Sequence, residues 1–190
     1  MRIGIIAEDD SDIAVLRELT LSILRPHLTT FKKFVGNGCG KLRRKCGAWT
    51  RNLVQQDCHR IIVVHDLDQN DEGELRRELQ RAIAPARAQD TVVLIPKREI
   101  EAWLLYDADA IARAFREHLR PRLPGNPELL ADPKKSLREI IWKRYRKQYL
   151  NTVHNSQIAK HIQISRLRRA GSFLPHLTFT AKVRAAIQQT

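Results

Sequence analysis

Two aspartates follow a strongly apolar run near the middle of the chain. In the segment HDLD, Asp66 and Asp68 come directly after residues 61–64, which are Ile-Ile-Val-Val. Side chains two residues apart point to the same side of an extended chain, so both carboxylates can reach one cation. Aspartate is also common after strands because it starts turns, and a single aspartate can be a phosphorylation site. The pattern leaves three interpretations open: turn residues, a phospho-acceptor or metal ligands.

Acidic residues also follow two other apolar runs. Residues 2–7 lead into the segment EDDSD, and residues 91–95 lead into PKREIE. The carboxyl ends of parallel strands meet at one edge of a sheet, where such carboxylates would repel one another unless a cation neutralised them. Oxygen ligands favour Mg²⁺ or Mn²⁺ over zinc. We therefore predict a metal site, and its candidate ligands are Glu8, Asp12, Asp66, Asp68, Glu99 and Glu101.

Two common loop motifs do not fit these residues. An EF-hand loop needs Glu at its twelfth position, but counting from Asp66 gives Arg77 and counting from Asp68 gives Leu79. A Walker A loop needs GxxxxGK followed by Ser or Thr, whereas the segment at residues 35–42 has Val35 for the first Gly and Leu42 at the last position. The sequence therefore predicts neither site.

The acidic segment after the first apolar run also resembles that of a receiver domain. In that interpretation Asp66 is the phosphorylated residue and Lys97 is its lysine partner. The spacing between the two leaves no room for the strand–helix unit that receivers place there. Asp68 and the Glu99/Glu101 pair would also stay without a role, so we keep the receiver as a minor alternative.

The elements that must position these acids alternate along the chain. Short apolar runs at residues 2–7, 29–35, 61–65 and 91–95 predict strands, and amphipathic segments between them predict helices. Ser11 is the predicted N-cap of the first helix, and Asp132 with Pro133 predicts the start of a later one. This pattern is typical of an α/β fold with a mainly parallel sheet flanked by helices. We expect a catalytic domain at residues 1–116 and a basic helical extension at residues 117–190, packed on it as one unit. Trp103, Trp142 and Tyr145 fall in apolar helical stripes, so we expect them in the core.

The composition favours an anionic partner. The 190 residues carry a net charge of +13, and Lys and Arg dominate after Asp109. A solvated basic surface is the alternative. No apolar run is long enough to span a membrane and no signal peptide is evident, which indicates a cytoplasmic protein without a membrane partner. Three cysteines without a CxxC pair predict reduced thiols rather than a zinc site. The predicted nucleic-acid-binding residues are Lys41, Arg43, Arg44, Lys45, Lys134, Lys135, Arg138, Lys143, Arg144, Arg146, Lys147, Arg166, Arg168 and Arg169.

The acidic motifs resemble those of TOPRIM domains, the Rossmann-like catalytic fold of topoisomerases, primases and overcoming-lysogenization-defect nucleases. Residues 8–12 are similar to the TOPRIM motif EGxxD/E, with Asp9 where that family usually has Gly, and residues 66–68 match its Asp-x-Asp motif. The segment REIEAWLLYDADAI at residues 98–111 resembles the hallmark of a small TOPRIM-like bacterial family. Residues 126–141 and 164–177 are similar to later segments of that family, so the resemblance covers nearly the whole chain.

The resemblance implies a Mg²⁺- or Mn²⁺-dependent nuclease that works beside an ABC-type ATPase in bacterial anti-phage defence. Glu8, Asp66 and Asp68 would hold one metal, and Asp12 with Glu99 or Glu101 a second. Lys97 would neutralise charge on the phosphate, unless it is an ordinary surface lysine, and Glu8 could instead act as general base. DNA is favoured over RNA as the substrate. Both a monomer and a homodimer are compatible with the sequence. No tyrosine has a context that favours strand passage. The alternative outside the enzymes is a non-catalytic subunit that binds nucleic acid or metal and regulates the ATPase.

Overall fold

The computed structural model describes residues 1–27 and 29–188, and it confirms the α/β fold. Its sheet has four parallel strands in the order β2-β1-β3-β4. The strands are β1 (Arg2–Ala7), β2 (Thr30–Val35), β3 (Arg60–Val64) and β4 (Asp90–Leu94). Because β1 pairs with β3, the residues that follow these two strands lie side by side at one edge of the sheet.

Helices occupy most of the remaining described residues. They are α1 (Asp10–Leu24), α2 (Cys39–Gln55), α3 (Glu72–Ile83), α4 (Glu101–Leu104), α5 (Ala108–Ala114), α6 (Pro133–Tyr145), α7 (Asn151–His161), α8 (Ile164–Leu167) and α9 (Leu174–Gln188). Asp132 accepts a hydrogen bond from the Lys135 N–H and Pro133 follows it, which confirms the predicted start of α6. The prediction that Ser11 caps α1 is wrong, because the side chain of Asp9 accepts the capping hydrogen bonds.

The two faces of the sheet carry separate hydrophobic clusters. Ile3 and Ile62 pack with apolar residues of α1 on one face, whereas Ile6 and Ile61 pack with those of α2 and α3 on the other. The chain therefore leaves β1 and β3, which are neighbours, toward opposite faces. In open α/β sheets, ligands bind in the crevice that forms at this kind of topological switch point.

The helices beyond residue 116 share the core of the sheet domain. Leu137, Ile158 and Phe179 belong to the same buried cluster as the residues of β1 and α1, and α7 packs against α1 and α5. Trp103 is fully buried, as predicted, and its indole N–H donates to Ser172 Oγ at 2.8 Å. The sheet domain and the helical extension are thus joined by continuous packing.

The other two aromatic predictions have different outcomes, because Tyr145 packs partly buried against the core and Trp142 does not. Trp142 is 54% exposed, so its assignment to the core is wrong. It lies on the outer side of α6, away from the buried Leu137 and Ile141. Tyr145 is half-buried, stacks on Phe115 and donates from its hydroxyl to the Leu119 carbonyl at 2.7 Å.

Among the described residues, no helix combines the length and the apolar character that crossing a bilayer requires.

His176 of α9 is fully buried and makes the stability of the fold depend on pH. Its Nε2 lies 3.0 Å from Thr20 Oγ1 in α1, and its Nδ1 has no hydrogen-bond partner among the described residues. Burial lowers the pKa of His176 from 6.5 to about 3. Below about pH 6.5 the His176 imidazole binds a proton in the unfolded chain but stays neutral in the folded chain. The free energy of unfolding therefore decreases as the pH falls from about 6.5 toward 3.

Because of this one histidine, we expect the free energy of unfolding to be about 2 kcal/mol lower at pH 5 than at pH 7. Urea unfolding of the wild type and of His176→Gln at both pH values measures the difference. The gap in stability between the two proteins should change by that amount in favour of the variant at pH 5. Replacing the exposed His59 by Gln is the control and should change nothing. If the difference in unfolding free energy between the wild type and His176→Gln were the same at both pH values, His176 would not be the source of the pH dependence.

Candidate functional site

Glu8 and Asp66 meet at the carboxyl ends of β1 and β3. Glu8 Oε1 accepts a hydrogen bond from the Asp66 backbone N–H at 3.0 Å, and it lies 3.0 Å from Nδ1 of His65. The backbone of β3 and a buried imidazole thus fix the Glu8 carboxylate in place. The predicted juxtaposition of the first glutamate and the first aspartate follows directly from the pairing of β1 with β3.

His65 is a member of this site that the sequence argument did not single out. Its side chain is fully buried, and its Nδ1–H faces both Glu8 Oε1 and, at 2.6 Å, the Asp66 carbonyl. Burial alone would lower the pKa of His65, but the hydrogen bond and the charge of Glu8 outweigh it and raise that pKa. The segment HDLD could have pointed to this residue, because His65 directly precedes Asp66.

Asp66 and Asp12 each lie near other carboxyl groups. The pKa of Asp66 lies well above its usual range because the group is buried and because Asp12, Glu101 and Glu8 are close to it. Burial, Asp9, Glu101 and Glu8 raise the pKa of Asp12 in the same way. We call Glu8, Asp12, Asp66 and Glu101 the acidic cluster. The structure therefore brings together acids from three separate strand ends.

One oxygen of this cluster lacks a partner. Asp66 Oδ1 is completely buried and accepts no hydrogen bond within the part of the chain that the structure describes. A buried, unpaired carboxylate oxygen is costly, and it costs more among other carboxylates. A bound divalent cation would satisfy it, since carboxylate oxygens are the ligands that Mg²⁺ and Mn²⁺ prefer. The donor set of the acidic cluster therefore fits such a metal.

Asp9 holds Asp12 in the cluster. Asp9 Oδ1 accepts from the backbone N–H groups of Ser11 at 2.7 Å and Asp12 at 3.1 Å, while Asp12 Oδ2 accepts from the Asp9 N–H at 3.3 Å. This reciprocal capping box stabilises the start of α1 and orients the Asp12 side chain. Asp9 therefore has a structural role at the start of this helix.

Glu101 is held by two polar residues that the sequence argument did not predict. Its Oε1 accepts from the Tyr149 hydroxyl at 3.2 Å and from Asn155 Nδ2 at 3.1 Å. All three side chains are buried. Burial and the charge of Glu101 raise the pKa of Tyr149, so its hydroxyl stays protonated as a donor. A buried tyrosine in this state is a poor nucleophile, which agrees with the argument against strand passage.

Lys134 is the basic residue that enters the site. Its Nζ lies 3.7 Å from Glu101 Oε1 and 3.8 Å from Glu99 Oε1, and its backbone N–H donates to Glu99 Oε2 at 2.8 Å. Burial would lower the pKa of Lys134, but Glu101, Glu99 and Asp66 together raise it. Glu99 therefore binds the first turn of α6 at the border of the cluster. The sequence predicts Lys134 only as part of the basic nucleic-acid-binding surface.

Asp68 and Lys97 are positioned differently from the other predicted residues. The chain is not extended through Asp68 as expected, because Asp68 has a φ of 47° and its N–H donates to the Arg98 carbonyl at 3.1 Å. Asp68 is exposed, and burial followed by the nearby Glu8 raises its pKa. Lys97 forms an ion pair with Glu72 at the start of α3. Its predicted contact with a phosphate stays a prediction.

Cys39 lies unexpectedly close to two of the predicted ligands. Ligand atoms of Glu8, Asp68 and the exposed Cys39 all lie within 4.8 Å of one another. The loop before α2 brings them together, since the Gly36 N–H donates to the Ala7 carbonyl at 2.8 Å. Exposed acidic groups often lie this close without an ion. This group alone is therefore weak evidence for a metal.

The predicted nucleic-acid-binding residues fall into two groups. Several are engaged with acids: Arg43 with Glu78 at 3.0 Å, Lys147 with Glu117 at 2.7 Å, and Arg166 with Asp109 at 2.6 Å. Arg146 and Arg169 lie over the rings of Trp142 and Tyr106. The second group is exposed and forms no ion pair with any described residue; it comprises Lys41, Arg44, Lys45, Lys135, Arg138, Lys143, Arg144 and Arg168.

Comparisons with known proteins give one match. No curated protein and no solved structure matches the chain. A family model described as a domain of unknown function, DUF4276, matches residues 8–178. The match begins at Glu8 and includes every residue of the acidic cluster together with Lys134. The chain therefore belongs to the DUF4276 family.

Proposed function

We propose that this protein is a metal-dependent nuclease that hydrolyses phosphodiester bonds. The observation that carries the proposal is the buried, unpartnered Asp66 Oδ1, which lies among three other carboxylates at the topological switch point of the sheet. A protein maintains such an arrangement against its electrostatic cost when the site binds a cation. The net charge of +13 then supplies attraction for an anionic substrate.

The residues of the site have separate roles in this proposal. Glu8, Asp12, Asp66 and Glu101 would hold Mg²⁺ or Mn²⁺, with Asp68 at the exposed side. The metal would polarise a phosphoryl oxygen and lower the pKa of a bound water. His65 and the backbone N–H of Asp66 hold Glu8 in position. Tyr149 and Asn155 do the same for Glu101.

Lys134 is our candidate for contact with the scissile phosphate. Its ammonium group lies beside Glu99 and Glu101 and is partly exposed. A fixed cation at this place can stabilise the charge that develops on a phosphate. Lys97 was the sequence-based candidate, but its ammonium is paired with Glu72.

The wider role rests on the resemblance to the TOPRIM-like family. We propose that the nuclease acts in anti-phage defence with an ABC-type ATPase and that DNA is its substrate. A second candidate function is a nucleic-acid-binding subunit without catalysis. The position of Lys134 favours it, because this ammonium already neutralises part of the charge on Glu99 and Glu101.

A cleavage assay tests the two candidates. Labelled single-stranded and duplex DNA and RNA are incubated with the purified protein, alone and with a candidate ABC-type ATPase from the same organism, in Mg²⁺, Mn²⁺ or EDTA. We expect cleavage of DNA in either metal and none in EDTA. Binding without cleavage under every condition, with the ATPase included, would contradict the nuclease and favour the regulatory subunit.

A further inference from the structure

Four residues form a row along α6 and its C-terminal end. Lys134, Arg138 and Trp142 are each four residues apart in α6, and residues with this spacing are neighbours on a helix surface. Arg146 caps the end of α6 and places its guanidinium over the Trp142 ring. From Lys134 to Trp142 the row spans about 12 Å at the helical rise of 1.5 Å per residue. We call these four residues the α6 row. It begins at the acidic cluster, because Lys134 Nζ lies 3.7 Å from Glu101 Oε1.

The centre of the α6 row is an exposed tryptophan. Trp142 is 54% exposed, whereas Trp103 is fully buried and Trp49 stacks on Phe34. The guanidinium carbon of Arg146 lies 6.0 Å from the centre of the Trp142 ring. A large aromatic side chain is therefore more than half exposed, with a cation over its ring.

Most of the charged residues of α6 are positive. Arg138 and Arg146 form no ion pair with any described residue, and Glu139 is the only acidic residue of α6. The charge of Arg138 also reaches Tyr149 of the site, where it opposes the rise in the pKa of the hydroxyl. Cations that alternate with an exposed aromatic ring are the elements with which proteins bind single-stranded nucleic acids: the cations contact phosphates and the ring stacks on a base.

We propose that the α6 row binds single-stranded DNA and leads it to the acidic cluster, with Trp142 stacked on one base. The inference rests on the proposed nuclease function and specifies its substrate. An unpaired strand is required because the bases of a duplex do not offer their faces to a side chain. Arg138 and Arg146 contact the phosphates on either side of the stacked base.

Binding in EDTA tests the α6 row separately from cleavage. Fluorescence anisotropy with a labelled oligo-dT strand should show about ten-fold weaker binding by Trp142→Ala. Trp142→Phe should keep most of the affinity, because a phenyl ring still stacks. Arg146→Ala should weaken binding and reduce its dependence on salt by about one phosphate contact. The matched controls are Leu129→Ala, which removes another exposed apolar side chain, and Lys182→Ala, which removes a cation on α9; both should bind as the wild type does.

Intrinsic fluorescence reports the stacking itself. Oligo-dT should quench the tryptophan emission of the wild type, and most of this quenching should be absent in Trp142→Phe. Equal affinity of the wild type and Trp142→Ala would overturn the proposal. So would the same dependence on Trp142 for blunt duplex DNA, for oligo-rU in place of oligo-dT, or for an acidic polypeptide. Trp142-dependent binding without cleavage in Mg²⁺ or Mn²⁺ would overturn the nuclease alone, whereas cleavage without such binding would overturn the α6 row alone.

Discussion

Replacing Asp66 by Asn lowers metal-dependent cleavage by about a thousand-fold or more in our account, while the protein stays folded. The substitution keeps the shape of the side chain and removes the carboxylate whose Oδ1 is buried without a partner among the described residues. Without that carboxylate the remaining acids would hold a cation less tightly. The phosphate would then lose most of the stabilisation that the metal would provide in the transition state.

The same variant should be more stable than the wild type when no metal is present. Asp66 Oδ1 is buried without a hydrogen-bond partner among the described residues, and burial together with Asp12, Glu101 and Glu8 raises the pKa of this carboxyl group, so the group costs folding free energy at neutral pH. Replacing it by an amide should raise the free energy of unfolding by about 1–2 kcal/mol. Urea unfolding in EDTA measures this, and Glu74→Gln is the control because Glu74 is exposed on α3. Full cleavage activity in Asp66→Asn, prepared in parallel with the wild type, would show that Asp66 is not part of the site.

Saturating Mg²⁺ or Mn²⁺ should stabilise the wild type by a comparable amount. A cation that binds only the folded protein adds about 2.7 kcal/mol at a hundred times its dissociation constant. For a chain of this size, that corresponds to a rise of about 5–10 °C in the melting temperature. The physical reason is again the acidic cluster, in which neighbouring carboxylates raise the pKa of Asp12 and Asp66.

Thermal unfolding with and without metal measures this second effect. EDTA should reverse it, and potassium chloride at matched ionic strength should not reproduce it, since screening acts mainly on exposed charges. Asp66→Asn should lose most of the shift, and Glu74→Gln should keep it. An equal shift in the wild type and in Asp66→Asn would mean that the cation binds elsewhere.

The strand ends of this site could be predicted because local patterns determine them. β-branched runs identified β1 and β3, and parallel strands put Glu8 and Asp66 at one edge of the sheet. Glu101 could be added because it follows the next strand, although Tyr149 and Asn155, which hold it, could not. Those contacts join residues distant in the chain, and no spacing rule reports them.

The wrong predictions arise where packing overrides the local pattern. Trp142 is a residue type that is common in cores. The buried stripe of α6 is narrow, however, because it contains Leu137 and Ile141 but not Trp142. Asp9 caps α1 although Ser11 is also a good capping residue, because the helix begins one residue before Ser11. Lys134 enters the site because Glu99 binds its backbone N–H at the start of α6.

Anomalous diffraction from a crystal soaked in Mn²⁺ tests the central claim most directly. Our account predicts an anomalous peak at the carboxyl ends of β1 and β3, bound by Asp66 Oδ1 and by carboxylates of Glu8, Asp12 or Glu101. The peak should be absent in a crystal of Asp66→Asn soaked in the same way. A wild-type crystal without a peak at this place, or with manganese bound only to exposed acids elsewhere, would contradict the account.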